Sequence, residues 1–371
     1  MEKNKIILFI VISSILFQSC STSSMEYRSA TTAARSEKNL QRAEEWGIKA
    51  LDIEPLNPQP AYFLATEVYL PQKKYKKMAA MLSEAIKRNP DQRLEKPFRL
   101  DGDPVETIAQ GVAAYREQEW ASVYNKAVEY IQDANNADKS DRVKYVEQAK
   151  EKLELAMLVN PQNVESYNTL SVLYLQGENF LKSKEIIELG LSISNSNYML
   201  WQLKGDIASI EKDYISAIKY YEKSIINTED PSSIMRKLIF VYIDIGENEK
   251  AIEYSNDLLD KYPNDPDLYY NVGVLYQRLS IESFEPALEI FNKLSKDSDD
   301  KIIIDVYKSF KQARRYAYNA KDNFLQASDL EIEETSTRQA VSEMRKLLDN
   351  LDDTFLPSIK ERASKANINL N

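Results

Sequence analysis

Cys20 is the only cysteine in a chain of 371 residues, and its position defines what its thiol can do. A lone thiol has no internal disulfide partner, which leaves nucleophilic chemistry or covalent modification of the sulfur. It sits behind Ile6 to Phe17, an apolar run that follows a start of Met-Glu-Lys-Asn-Lys. A basic start, an apolar core of ~12 residues and a small residue at the cut describe a secretory signal peptide. The run is shorter than the ~20 residues that span a bilayer comfortably. Cleavage before Cys20 removes residues 1–19 and makes the cysteine the new first residue.

The other chemical inventory is thin. The chain contains no histidine, which excludes every His-based triad, His metal-ligand set and imidazole relay. Its eight glycines form no GxGxxG or Walker-type loop. Asp101-Gly102-Asp103 lacks the further carboxylates of a calcium loop, and helix capping explains Asp103 better. The acidic clusters Asp297 to Asp300 and Asp349 to Asp353 read as solvated turns. No catalytic residue, metal ligand or cofactor is therefore assigned, and the chain is not expected to be an enzyme. The formal charge of −10, which becomes −11 after the cut, also argues against nucleic-acid binding through charge.

The segment Phe17-Gln18-Ser19-Cys20 resembles the lipobox of bacterial lipoproteins, with Gln18 where that family usually has a small residue. The resemblance implies a diacylglycerol on the Cys20 sulfur and an acylated N-terminus. Ser21 stands where an inner-membrane retention signal would have an aspartate, so the resemblance implies an outer-membrane anchor facing the periplasm.

The rest of the chain repeats itself. Trp201 is followed by Gly205, Ala217, Tyr221 and Ser224. Met235 is followed at matching steps by Leu238, Tyr242, Ala251, Ser255, Leu258 and Pro263, and Tyr167 by Leu170, Tyr174, Ser183, Ile187 and Gly190. Tyr269, Val272, Gly273 and Tyr276 open another unit, whose second half, Ala287, Phe291 and Leu294, arrives two residues late. Units begin near 164, 198, 232 and 266, a period of 34. Within each unit, residues three, four and seven apart share one helix face. Small residues such as Gly205, Gly273 and Ala217 leave room for large aromatics. Pro55, Pro90, Pro161 and Pro263 each lie twelve residues after Ala43, Met78, Ala149 and Ala251 and close the second helix.

This pattern resembles the tetratricopeptide repeat, two antiparallel helices per unit. It implies an all-α, right-handed α-solenoid of about six helical hairpins with a C-terminal capping pair. Residues 20–90 hold the first two hairpins, 91–143 an insertion and 144–296 the regular array. Within the insertion, 91–102 reads as an irregular loop. Asp103, Pro104 and Glu106 then read as the cap of a long helix, and Asp133 to Asp141 as an extended turn. Residues 297–356 are expected to cap the stack, and 357–371 to fray.

Function in this fold, by resemblance, resides on the surface formed by the first helix of each unit. The positions left free by the packing pattern are Asn168, Gln176, Gln202, Asp206, Arg236, Phe240, Asp244, Tyr270 and Gln277. Such a mixed polar face with two aromatics suits a peptide or partner helix. The carboxylate clamp of the family's chaperone-tail receptors finds only Asn168 and Arg236 here. The expected partners are other envelope proteins or peptides, with a membrane contact through the N-terminal lipid. The alternative is a lipoprotein that captures peptides or glycans for uptake. Clustered exposed aromatics in 91–143 would favour that alternative, and a compact helix pair would favour a scaffold.

Overall fold

The computed structural model describes residues 23–295, 298–330 and 335–370. Cys20 and the expected signal peptide lie outside the described residues, as do Asp297, Glu331, Glu333 and Glu334. The chain divides after Asn197 into two compact units. Both are built from helical hairpins, as the repeat requires.

The N-terminal unit begins with α1 (Met25–Arg35), α2 (Leu40–Ile53), α3 (Gln59–Phe63) and α4 (Tyr75–Arg88). A wide π-helical turn, Leu64–Tyr69, extends α3. Then follow β1 (Arg93–Leu100), β2 (Asp103–Thr107), α5 (Ile108–Asn136), α6 (Lys139–Val159), α7 (Glu165–Gln176) and α8 (Phe180–Ile193). The C-terminal unit holds α9 (Tyr198–Ile210), α10 (Tyr214–Ile226), α11 (Ser232–Asp244) and α12 (Asn248–Lys261). It continues with α13 (Pro266–Lys293), α14 (Asp300–Leu330), α15 (Thr335–Asn350) and α16 (Leu356–Lys365). No described helix is long and apolar enough to cross a membrane.

The repeat positions carry the packing. Ala43, Met78, Ala149, Ser183, Ala217 and Ala251 occupy one place in the second helix of their hairpins, and all are fully buried. The turns between the two helices share a device absent from the packing pattern. Lys38, Lys73, Glu178, Lys212 and Gly246 all take a left-handed backbone, one residue before the next helix caps. After three of these turns an Asn or Asp caps the helix: Asn39, Asn179 and Asp213 each accept the N–H three residues on.

The last repeat departs from this arrangement. Its turn would fall at Ser280-Ile281, but the helix continues, so α13 runs 28 residues through Pro286. Ala287 and Phe291, expected on a separate second helix, lie on α13 itself. The antiparallel partner is α14, and Ser280 Oγ donates to Ala313 O at 2.8 Å across that pair.

The insertion differs from its expectation in two ways. Residues 93–107 form an antiparallel β-hairpin whose tip, Asp101-Gly102, has positive φ at both residues, the geometry of a two-residue hairpin turn. Asp103 pairs with Leu100 in the ladder, so it does not cap a helix. Thr107 caps α5 instead, in a capping box with Gln110. The expected extended turn at 133–141 shrinks to Ala137 and Asp138, between α5 and α6. Leu94 and Val105 bury the inner face of the β-hairpin.

The C-terminus is also more ordered than the expected fraying. Residues 356–365 form α16, with Ile359 and Ala363 buried among Ile303, Val306 and Phe310 of α14.

Candidate partner-binding face

The first helices of the C-terminal unit, α9, α11 and α13, carry seven of the nine candidate positions. Their charged members are engaged between repeats. Asp206 on α9 accepts from the Tyr221 hydroxyl and from Lys237 Nζ on α11, each at 2.7 Å. Burial, then the Asp206 charge, pushes the Tyr221 hydroxyl well above the usual tyrosine range. Arg236 on α11 donates to Asp265. That carboxylate also caps α13 by accepting from Leu268 N at 3.0 Å. Asp244 at the end of α11 accepts from Arg278 on α13 at 3.2 Å.

The remaining positions separate by exposure. Gln277 is partly exposed and donates to Glu343 of α15 at 3.3 Å. Gln202 on α9 is also partly exposed. Tyr270 is not the open aromatic that its spacing suggests: it packs half-buried with its ring centroid 5.5 Å from that of Phe324. Phe240 is open, with 44% of its surface exposed. It lines a shallow cleft with Arg236, Ile239, Leu268, Asn271 and Val272.

The other two candidates belong to α7 in the N-terminal unit. Asn168 is 2% exposed and is unavailable to a partner. Its position adjoins the packing residue Tyr167, and α7 buries both side chains along with Ser166. Gln176 is exposed at the helix end.

Sequence reasoning missed Lys237, Asp265 and Arg278, the partners of the groove charges. Opposite charges 29 to 34 residues apart were the available signal, since one repeat length brings successive first helices side by side. It also missed an aromatic set in the N-terminal unit. Tyr62 and Phe98 each hold a ring centroid 6.0 Å from Tyr115, and Trp120 stacks on Tyr124 at 4.9 Å. Trp120 Nε1 donates to Ser166 Oγ at 2.8 Å. These rings pack on one another, and the Tyr124 hydroxyl also meets Thr169 Oγ1 of α7 at 2.8 Å. Among the described residues, no three His, Cys, Asp or Glu side chains gather as a metal site requires.

What this face can do is therefore limited. Its charges are neutralised in pairs, and an apolar contact at Phe240 remains with hydrogen-bonding groups around it. Helical hairpins recurring every 34 residues, with small residues under aromatics, define a tetratricopeptide-repeat protein. The tetratricopeptide repeat family model matches residues 200–225, the α9–α10 hairpin. The chain is 31% identical over 74 residues to the photosystem I assembly protein Ycf3 of Synechococcus sp. (strain CC9605), covering 19% of this chain and 43% of that one. It is 29% identical over 82 residues to Ycf3 of Prochlorococcus marinus (strain NATL2A), covering 21% and 47%. The chain thus spans less than half the length of these curated relatives. Among solved structures, a tetratricopeptide repeat protein from Parabacteroides merdae ATCC 43184 is 12% identical. It covers 87% of this chain and all of that one, at a TM-score of 0.37. The Pseudomonas aeruginosa pilF structure is 17% identical and covers 62% and 99%, also at 0.37.

Proposed function

We propose that this protein is a lipid-anchored, non-enzymatic scaffold of a bacterial envelope, tethered through Cys20 and facing the periplasm from the outer membrane. It binds a segment of another envelope protein on the first-helix face of its C-terminal unit, as part of an assembly, secretion or pilus-type machine. The observation that carries this reading is Phe240. It is a large aromatic exposed in a cleft whose neighbouring charges are already paired, so an apolar side chain of a partner can bury against it without stranding a charge. Ycf3 is named as a photosystem I assembly protein, which supports an assembly role as a class. The alternative of ligand capture for uptake loses its main support. The 91–143 insertion holds a β-hairpin and the long helix α5, which pairs with α6, and its aromatics Phe98, Tyr115, Trp120 and Tyr124 are half-buried against neighbouring rings.

The test is site-specific photocrosslinking in intact cells. A benzophenone side chain at position 240 should give a discrete protein adduct. The same side chain at Ile215, 84% exposed at the start of α10, should give none. Equal labelling from both positions, or none from 240, rejects the groove.

A further inference from the structure

The fold begins close behind Cys20. Ser24 caps α1, its hydroxyl accepting from Tyr27 N at 3.1 Å, and its own N–H donates to Glu54 Oε1 at 2.6 Å. Glu54 also accepts from Asn57 Nδ2 at 2.5 Å, and its carbonyl accepts from Arg88 Nη1 at 2.8 Å. The start of α1, the end of α2 and the end of α4 are thereby fastened together at one corner of the N-terminal unit.

Three large apolar side chains surround that fastening. Met25 directly follows Ser24, Ile53 directly precedes Glu54, and Leu56 lies two residues after it. They are 68%, 55% and 81% exposed. On the same segments Arg28, Lys49 and Lys87 are balanced by Glu26, Asp52 and Asp91, exposed or partly exposed. The corner neither attracts nor repels anionic headgroups strongly, which leaves its apolar side chains to decide its preference.

The tether length sets the distance. Four residues of fully extended chain reach at most about 14 Å, so Ser24 stays within that distance of Cys20. The polar layer of one leaflet is about 5–8 Å thick. An acylated Cys20 would therefore hold Ser24 near the membrane surface, and Met25, Ile53 and Leu56 are the exposed large apolar side chains that flank Ser24 and its Glu54 partner.

We infer that this corner is a membrane-contact surface, with Met25, Ile53 and Leu56 entering the headgroup–acyl boundary and fixing the orientation of the N-terminal unit on the bilayer. The inference rests on the lipid-anchor reading. Three side chains alone bind a bilayer weakly, and the anchor supplies the high local concentration that makes their contact persistent.

Acylation of Cys20 leaves no other thiol, so a Leu56→Cys variant carries one free label site on a side chain already exposed. The purified acylated protein, labelled there with an environment-sensitive fluorophore, is reconstituted into phosphatidylethanolamine–phosphatidylglycerol vesicles. Ile215→Cys, labelled alike, serves as the reference. The expected result is a blue-shifted emission at position 56 and iodide quenching at least fivefold weaker than at 215. Equal quenching at both positions, in protein that floats with the vesicles, overturns the contact surface and leaves the anchor standing. Flotation that is absent in the acylated protein, or equal in a Cys20→Ser variant, overturns the anchor and the contact surface together.

Discussion

Gly205 lies against the ring of Tyr221, so close that a Cβ at position 205 would stand 2.6 Å from both Cδ1 and Cε1. The same ring carries the hydroxyl that donates to Asp206, whose carboxylate Lys237 reaches from α11. One glycine therefore sets how closely α9 and α10 approach and, through Tyr221, steadies the bridge from α9 to the next repeat.

Gly205→Ala gains up to about 1 kcal/mol of helix propensity. The added methyl meets a ring that is 2% exposed and has no room to retreat, so overpacking decides the sign. We expect a net loss of ~1–2 kcal/mol for alanine and more for leucine. Chemical denaturation followed by circular dichroism reads the loss directly. Alanine and leucine variants with the wild-type midpoint would show that the repeat register is wrong here.

The relation was legible because Gly205 and Tyr221 fall four and twenty residues after Trp201, inside a pattern of packing positions that recurs every 34 residues. Gly273 was legible in type but not in partner. Its close neighbour is Phe324 of α14, 2.6 Å from a built Cβ, because the turn of that unit is missing and a more distant helix fills the place. Turns were harder to read than packing. Lys212 and Glu178 hold left-handed backbones without the usual Gly or Asn, so composition gave no sign of them. The Asp101-Gly102 β-hairpin does carry a recognised turn signal, but without flanking alternation strong enough to pair two strands, 91–102 reads as an irregular loop and Asp103 as a helix cap. Groove residues were the least legible. Helical spacing separates faces, while the pairing of Asp206, Arg236 and Asp244 depends on contacts between repeats.

Asp230 ties the entry of α11 to the end of α12. It accepts from the Tyr262 hydroxyl at 2.7 Å and from Ser232 N at 3.0 Å. These hydrogen bonds, the Tyr262 hydroxyl first, lower its carboxyl to about 2. A carboxylate with a depressed folded pKa stabilises above its unfolded value near 4, and that contribution is lost as pH falls toward 2. Asp230→Asn should therefore lower the melting temperature at pH 6, with the difference from wild type shrinking between pH 4 and pH 2. A difference that stays constant over that range would mean that Asp230 does not titrate as its hydrogen bonds require.

Ile359 tests the C-terminal helix that the polar tail concealed. Only Leu356, Ile359 and Ala363 of α16 are buried, so the sequence around them reads as a solvated end. Those three meet the aromatic cluster of Phe284, Phe291, Phe310 and Phe355, whose ring centroids lie 5.3–5.8 Å apart. Ile359 is fully buried, so Ile359→Ala removes apolar surface and leaves a cavity, at a cost of ~2–5 kcal/mol. Hydrogen exchange supplies the second measurement. Backbone amides late in α16 should be protected in the wild type and lose protection in the variant, because an isolated ten-residue helix does not hold itself together in water. If the segment frays, those amides exchange at the rate of free chain in both proteins and the substitution leaves the unfolding midpoint where it was.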